Sequence, residues 1–384
     1  MKKDEKTVVL QELFLAYYEA RKKKRNGKEV LLFHMNHERE LIILRDEIIK
    51  RTYEISPSTC FIVERPVKRE IFAGAFRDRI VHHFVHSYLN PLCEKTFIHD
   101  TYSCRIGKGT SYGIKRAEYF VRSVTRNYTR PCRVFRLDIS GYFMSINKDI
   151  LFQQVKDIME KKRKYLSCDY EMLLWLIKKI IDNDPREKCR VRGEKKDWIG
   201  LPQNKSLFFT KPRCGLPIGN LTSQLFANVY LNEFDHRAKE MMRKLGGRYG
   251  RYVDDLLFVV PERKNIQKIL IPMRSFLREN LGLEIHPRKI HIQPYEKGFA
   301  FLGRFILPFR TYIKRSTKGG MNTLLEKRTQ EMNTSPTKED YHKNKNRLLA
   351  CWTSYMGIFM SCKSYILKEK LFSFVKNIEK KEIV

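Results

Sequence analysis

Apolar residues recur at helical spacing near the start of the chain. Leu10, Leu13, Phe14, Tyr17 and Tyr18 fall on one face of residues 7–25, which predicts an amphipathic helix stopped by Asn26-Gly27. Residues 38–51 repeat the pattern through Leu41, Ile42, Leu44, Ile48 and Ile49. Past Ser56-Pro57 the period shortens, and 61–63 and 69–73 read as strands joined by the cation-rich spacer 64–68. A helix with mixed faces follows over 76–86, and the glycine-rich turn 107–111 leads into another. Residues 133–139 form a strand ending at Asp138, turned by Ser140-Gly141 into a helix at Tyr142-Phe143. Residues 150–181 read as helical, with Met172, Leu173, Leu176, Ile177 and Ile180 as core, and 183–196 as an exposed basic loop. Pro217 and two glycines break the chain at 215–219 before a long helix from Ser223. A hairpin over 251–260, a helix over 265–282 closed by Gly282, a strand-like stretch at 283–292 and a hairpin at 299–306 come next. After Gly319-Gly320 the chain reads as helical and basic, with Trp352, Tyr355, Phe359, Tyr365 and Phe372 spread along it.

Charge narrows the class. The 384 residues carry 76 Lys and Arg against 43 Asp and Glu, a formal charge of +33. Self-repulsion of that size calls for a polyanion, and nucleic acid is the first choice. A membrane surface is the rival polyanion, but no apolar run approaches the ~20 residues of a spanning helix. The start, Met-Lys-Lys-Asp-Glu-Lys, is charged and carries no signal-peptide pattern. Nine cysteines without a Cys-x-x-Cys pair fit free thiols in a reducing cytoplasm. His82 and His86 stand at a chelating spacing, yet no third ligand accompanies them, so they read as core or surface histidines. The basic run Arg21–Arg25 suits either phosphate contact or a solvated helix end that complements the dipole.

The chemistry concentrates at Tyr252-Val253-Asp254-Asp255, an acid pair at the tip of the 251–260 hairpin. A solvated turn would pair Asp with Gly or Asn, and neither is present. Adjacent carboxylates beside a buried strand repel unless a cation neutralises them, and hard divalent ions take carboxylate oxygens. A plain polar turn is the alternative. Asp138 joins the pair only through tertiary folding; by itself, its strand-end position also suits a helix N-cap.

Five segments then fall in a telling order: Arg69-x-Ile with Phe76-Arg77-Asp78-Arg79, Asp138, the turn and helix at 215–228, Tyr252–Asp255, and Phe301-Leu302-Gly303. From about residue 60 to about 372 the chain resembles a reverse transcriptase. The resemblance implies an α+β right-hand polymerase fold with fingers, a palm of antiparallel sheet packed on helices, and an α-helical thumb. The implied division is 1–130 for N-terminal helices and fingers, 131–312 for the palm with an inserted helical fingers segment at about 150–214, and 313–384 for a basic thumb. Within the family, Leu216-Pro217-Ile218-Gly219-Asn220-Leu221-Thr222-Ser223-Gln224, where most bacterial relatives carry Pro-Gln-Gly and Ser-Pro, is similar to diversity-generating retroelements. The preceding Leu201–Phe208 is similar to them too. Such enzymes copy a template-repeat RNA into cDNA with errors at template adenines, and the cDNA replaces a variable region of a target gene.

Site roles follow from that resemblance. Two Mg²⁺ ions, with Mn²⁺ as a substitute, are implied between Asp138 and Asp254, with Asp255 as a secondary ligand and the Ile139 carbonyl completing one shell. Arg69 and Lys68 fall where the family clamps the dNTP triphosphate; a solvated strand cation is the alternative for Arg69. Phe143 matches a steric gate under the sugar, and a core aromatic is compatible with that role. Ile218 replaces a glutamine of the nucleotide pocket, Gln224 faces the template or caps its helix, and Lys289 lies near the leaving pyrophosphate. Phe301-Leu302-Gly303 corresponds to the primer grip. Implied partners are template RNA, the cDNA primer strand, dNTP and a small basic accessory variability protein, with no membrane. The rivals are a retron, phage-defence or group II intron enzyme, and a catalytically inactive RNA-binding scaffold on the same fold. The intron version adds maturase and endonuclease domains, and the chain ends too soon for a nuclease.

Overall fold

The computed structural model describes residues 4–64, 67–360, 369, 372 and 373. Three helices open the chain: α1 (Glu5–Arg21), α2 (Lys28–Met35) and α3 (His37–Ile49). The buried stripe of α1 runs through Val9, Leu13, Ala16, Tyr17 and Ala20, rotated from the expected one. Small residues let α1 sit close to its neighbours, and Tyr18 is left exposed. Helix α2 was not expected: only Val30 is buried on it, so it carries no periodic apolar stripe to read.

Strands β1 (Ser58–Val63) and β2 (Arg69–Ala73) form the predicted antiparallel hairpin. Helix α4 (Phe76–Glu94) then buries Phe76, Ile80, Val81, Phe84, Val85 and Leu89 in the main core. His82 is buried there and bonds Thr222 at 2.8 Å, which makes it a core histidine. Helix α5 (Thr110–Val124) follows the glycine turn.

The centre is a four-stranded sheet in the order β5-β6-β3-β7. Strand β3 (Cys132–Asp138) alternates its side chains between two cores: Phe135 and Leu137 on one face, Cys132 and Val134 on the other. The short α6 (Tyr142–Ser145) follows, and Gly141 before it has φ +54, with Asn204 O only 2.5 Å from where a Cβ would stand. The expected single helix over 150–181 is two, α7 (Lys148–Lys161) and α8 (Tyr170–Asp182). Asp169 starts the second by accepting Met172 N–H at 2.6 Å, an N-cap that follows the polar run 160–164. The loop expected at 183–196 contains a short strand, β4 (Cys189–Val191), paired parallel to β1, with Cys189 packed against the cluster that holds Cys60.

Helices α9 (Leu221–Tyr230) and α10 (Asn232–Lys244) succeed each other with one residue between. Strands β5 (Arg248–Tyr252) and β6 (Asp255–Pro261) form the expected hairpin, and Phe258 stacks on Phe135 at 4.5 Å. After α11 (Gln267–Leu281), the stretch 283–292 is mostly irregular, and the strand β7 spans His291–Pro294. Pro287 removes a donor there, while Leu283 and Ile285 are buried. Strands β8 (Phe299–Phe301), β9 (Arg304–Leu307) and β10 (Arg310–Ile313) make a separate antiparallel sheet. Helices α12 (Arg315–Asn333) and α13 (Lys338–Met360) bury Met321, Leu325, Leu348 and Phe359 between them. Helix α12 carries Gly319 and Gly320 inside it, so the helix begins earlier than the sequence suggests. Trp352 and Tyr355 pack against this cluster, and Tyr365 lies outside the described residues. Among the described residues no helix is long and apolar enough to cross a membrane.

Candidate active site

The hairpin that carries the acid pair closes on Tyr252 opposite Asp255, so Val253-Asp254 is a two-residue tip. Val253 has φ +56. Two-residue hairpins favour glycine at such a position, and a β-branched side chain there stores strain on the order of 1–3 kcal/mol. The support comes from beneath. Arg251 is fully buried; its Nη1 donates to the Val253 carbonyl at 3.0 Å, and its Nε and Nη2 grip Asp235 at 2.8 and 2.6 Å. Tyr249 donates to the same carboxylate at 2.7 Å. Backbone bonds from Tyr102 N–H to Arg251 O (3.0 Å) and from Arg251 N–H to Asp100 O (2.9 Å) fasten the strand on its outer side.

Strand β3 brings in the third carboxylate: Asp138 is the cross-strand partner of Asp255, and Ile139 N–H donates to Asp254 O at 3.3 Å. The end of β3 is held by His286 N–H on Asp138 O (2.7 Å) and by Ser140 N–H on Glu284 O (2.8 Å). Like charges directly opposite on a sheet repel, and each of the paired acids has its own cation. Lys289 Nζ lies 2.5 Å from Asp138 Oδ2. Arg136 forks onto Asp255 with contacts of 2.9, 3.0 and 3.2 Å. Asp254 makes no ion pair among the described residues, and burial, with Asp138 and Asp255 adding to it, raises its carboxyl to about 6. Burial also raises the Asp255 carboxyl, against the pull of Arg136.

Among the described residues no group of three or more His, Cys, Asp or Glu side chains is arranged to enclose a metal ion. The donors still fit a hard cation that takes part of its shell from phosphate: they are all oxygens, and Asp254 is a half-buried acid that makes no ion pair among the described residues.

The residues expected around a nucleotide fall on β2, α6, the 215–219 turn and α9. Arg69 is exposed at the start of β2, close enough for its charge to act on the Tyr252 hydroxyl, which burial chiefly raises. Lys68 is engaged otherwise, with Ile199 O and Glu64 each at 2.9 Å. Phe143 and Ile218 pack on one cluster with Cys60, Phe72, Met144 and Leu207. Phe72 N–H donates to Ile218 O at 2.9 Å, and Leu216 N–H to Phe143 O at 2.9 Å, so the 215–219 turn is stitched to both. Gly219 has φ +135, and a Cβ there would stand 2.7 Å from Phe72 O. Gln224 is exposed on α9; the N-cap is Asn220, so Gln224 does not cap the helix.

Phe301 is buried, and Leu302-Gly303 form the turn between β8 and β9 with φ +46 and +78. The Arg136 guanidinium carbon lies 5.9 Å from the Phe301 ring centroid.

Three features escaped the sequence. Arg136 alternates like any strand residue. The Asp235–Arg251 pair is joined only by folding, although a charged residue two positions before the turn was its one visible signal. Glu70, next to Arg69, is buried and accepts from Trp198 Nε1 (2.8 Å), Ser206 Oγ (2.9 Å) and Leu207 N–H (2.6 Å). The Leu201–Phe208 stretch is thus tied to β2 at one end, and Asn204 covers Gly141 at the other.

Residues 67–306 match the family described as reverse transcriptase (RNA-dependent DNA polymerase). Protein YkfC of Escherichia coli (strain K12) is 25% identical over 319 residues, 74% of this chain and 74% of that protein. Among solved structures, the apo telomerase from Candida tropicalis superposes with a TM-score of 0.50 at 12% identity, covering 83% of this chain and 61% of that one. A Candida albicans telomerase in complex with a TWJ fragment of telomeric RNA gives 0.46 at 13% identity, over 85% of this chain and 58% of that one. The chain spans about three fifths of these telomerases, and the likeness to the Candida tropicalis structure is one of fold.

Proposed function

The chain belongs to the reverse transcriptase family, and on that premise we propose that it is an RNA-directed DNA polymerase of a diversity-generating retroelement. One observation carries the catalytic reading. Asp138 and Asp255 face each other across β3 and β6, with Asp254, uncompensated, at the adjoining tip.

In this reading Asp138 and Asp254 hold the metal ions, the Ile139 carbonyl assists, and Asp255 acts from behind, held by Arg136. Bound Mg²⁺, or Mn²⁺ in its place, would ease loss of the primer 3′-OH proton and offset charge on the triphosphate. Arg69 grips the triphosphate through a fork of donors, and Lys68 lends a second charge from its tether on Ile199. Phe143 lies under the sugar and excludes a 2′-OH. Lys289, half-exposed beside Asp138, is placed to give a proton to the departing pyrophosphate. Phe301-Leu302-Gly303 offers a tight turn against the primer backbone, and Gln224 faces outward toward the template.

The residues 1–130, 131–312 and 313–384 serve as fingers, palm and thumb. Nucleic acid has a basic path on the fingers side: Lys23, Lys24, Arg25, Lys28, Arg79 and Arg192 line a groove of about 930 Å³ with Phe61. The retroelement subtype is supported by Ile218 in the turn beside β2 and by Leu201–Phe208 lying between Glu70 and Gly141. Those are the segments that set this chain apart from other bacterial enzymes of the family. A template-repeat RNA, a cDNA primer and a small basic accessory protein are the partners this reading requires, in the cytoplasm.

Primer extension on an RNA template with Mg²⁺ tests the activity. Wild-type extension with loss of about a thousandfold or more in Asp254→Asn supports it; an inactive wild type favours the RNA-binding scaffold. Sequencing the cDNA separates the subtypes, since errors confined to no particular template base would remove the retroelement assignment.

A further inference from the structure

We propose that Arg136 is a positioning residue that joins the Asp255 carboxylate to the primer-side turn, an inference that rests on the polymerase reading above. On β3, Arg136 shares a face with Asp138 and Val134. Its cross-strand partners are Leu257 on β6 and His291 on β7, so it lies diagonal to Asp255. From there the guanidinium does two things at once. Its fork holds both oxygens of Asp255, and its carbon stands 5.9 Å from the ring centroid of Phe301, the residue that leads into the Leu302-Gly303 turn.

A planar, always-charged group is suited to that double contact, and an ammonium is not. The bidentate bond fixes the Asp255 carboxylate in rotation as well as position. The contact with Phe301 fixes where the β8–β9 turn stands relative to the β3–β6 carboxylates, although the two belong to different sheets. The charge matters separately. With Arg136 present, Asp255 is neutralised and does not compete with Asp254 for a divalent ion. Without it, the same pocket gains a free carboxylate and binds such an ion more tightly but in a less defined place.

The test uses the full chain with a poly(rA)–oligo(dT) primer–template and two readouts, Mn²⁺ binding followed by electron paramagnetic resonance and dTTP incorporation. Arg136→Gln is expected to lower the half-saturating Mn²⁺ concentration about threefold or more. Its extension rate should fall about tenfold or more, with KM for dTTP within about twofold of wild type, because Arg69 is untouched. Arg136→Lys is expected to keep the wild-type Mn²⁺ midpoint, since the charge remains, and still to lose extension, since the fork is gone. A merely structural role would weaken Mn²⁺ binding or leave it unchanged in Arg136→Gln, and either result overturns the proposal. So does Arg136→Lys with wild-type extension, which also decides the matter if Arg136→Gln does not fold. An inactive wild type would instead count against the polymerase reading, and the Mn²⁺ titration, which needs no turnover, would still answer for Arg136.

Discussion

The Lys289 ammonium stands 2.5 Å from the Asp138 carboxylate, bridging the loop before β7 to the end of β3. The ammonium sets a positive charge against this carboxylate. Lys289→Met should therefore leave folding nearly unchanged, because the lysine is 44% exposed and such pairs add little to stability. Extension under single-turnover conditions should fall about 100-fold or more if the lysine donates a proton. Lys289→Arg should recover part of that loss, and wild-type rates in the methionine variant would remove the lysine from the mechanism.

Asp254 carries a pH signature. Its carboxyl is raised to about 6 in the folded protein from a model-peptide value of 3.8. Below the lower value both states are protonated and the group is neutral to stability. Between the two, the folded state holds the extra proton, so metal-free stability declines as pH rises, by up to about 3 kcal/mol once pH passes 6. Urea unfolding in EDTA from pH 4 to 7 should show that decline, and Asp254→Asn should flatten it. Saturating Mg²⁺ should offset it in the wild type by binding the ionised form.

The Arg251–Asp235 pair gives a stability prediction. Both side chains are fully buried, and removing one partner strands the other charge. Arg251→Met should cost about 3–5 kcal/mol in denaturant unfolding. It should also release the Val253 carbonyl, so residual folded enzyme should show a lower kcat at unchanged primer affinity.

Gly219 has no room for a side chain. Gly219→Ala forces its Cβ against Phe72 O, which belongs to β2 and cannot swing aside. The turn and the strand bearing Arg69 must separate, raising KM for dNTP several-fold and lowering stability by about 1–3 kcal/mol. Steady-state kinetics with varied dTTP would register the change.

Ile218 addresses fidelity. A branched apolar side chain offers no hydrogen bond to a nucleotide, whereas one buried polar contact can discriminate by roughly 10- to 100-fold. If Ile218 and Arg69 together loosen selection at template adenine, Ile218→Gln should lower misincorporation there. An unchanged error spectrum in sequenced cDNA would show that selection is set elsewhere.

Sequence and structure agree best where a local pattern had one physical reading. The Tyr252–Asp255 hairpin, the strand ending at Asp138 and the turn before α9 were legible because alternation, proline and glycine specify them locally. Helix α2 was not, since seven of its eight residues avoid full burial and leave no stripe. The break between α7 and α8 did have a local signal, the polar run 160–164 followed by the Asp169 cap, which a single helix over 150–181 passed over. The stretch 283–292 looked like a strand because Leu283 and Ile285 alternate, yet both pack into the main core and the backbone pairs there through an isolated bridge from Ile139 to Ile285. At the site, the order of the motifs and the family resemblance indicated which acids meet, but not how each is neutralised. Arg136 and Lys289 acquire their partners only when β3, β6 and the loop before β7 come together, and no spacing within any one segment encodes that.

Glu70 has a consequence for how this surface can change. One carboxylate tethers Trp198, Ser206 and Leu207, and the same short loop rests on Gly141 beside the end of β3. The loop thus works as a shared hinge pin for two walls that come from distant parts of the chain. An insertion within it would move both walls together.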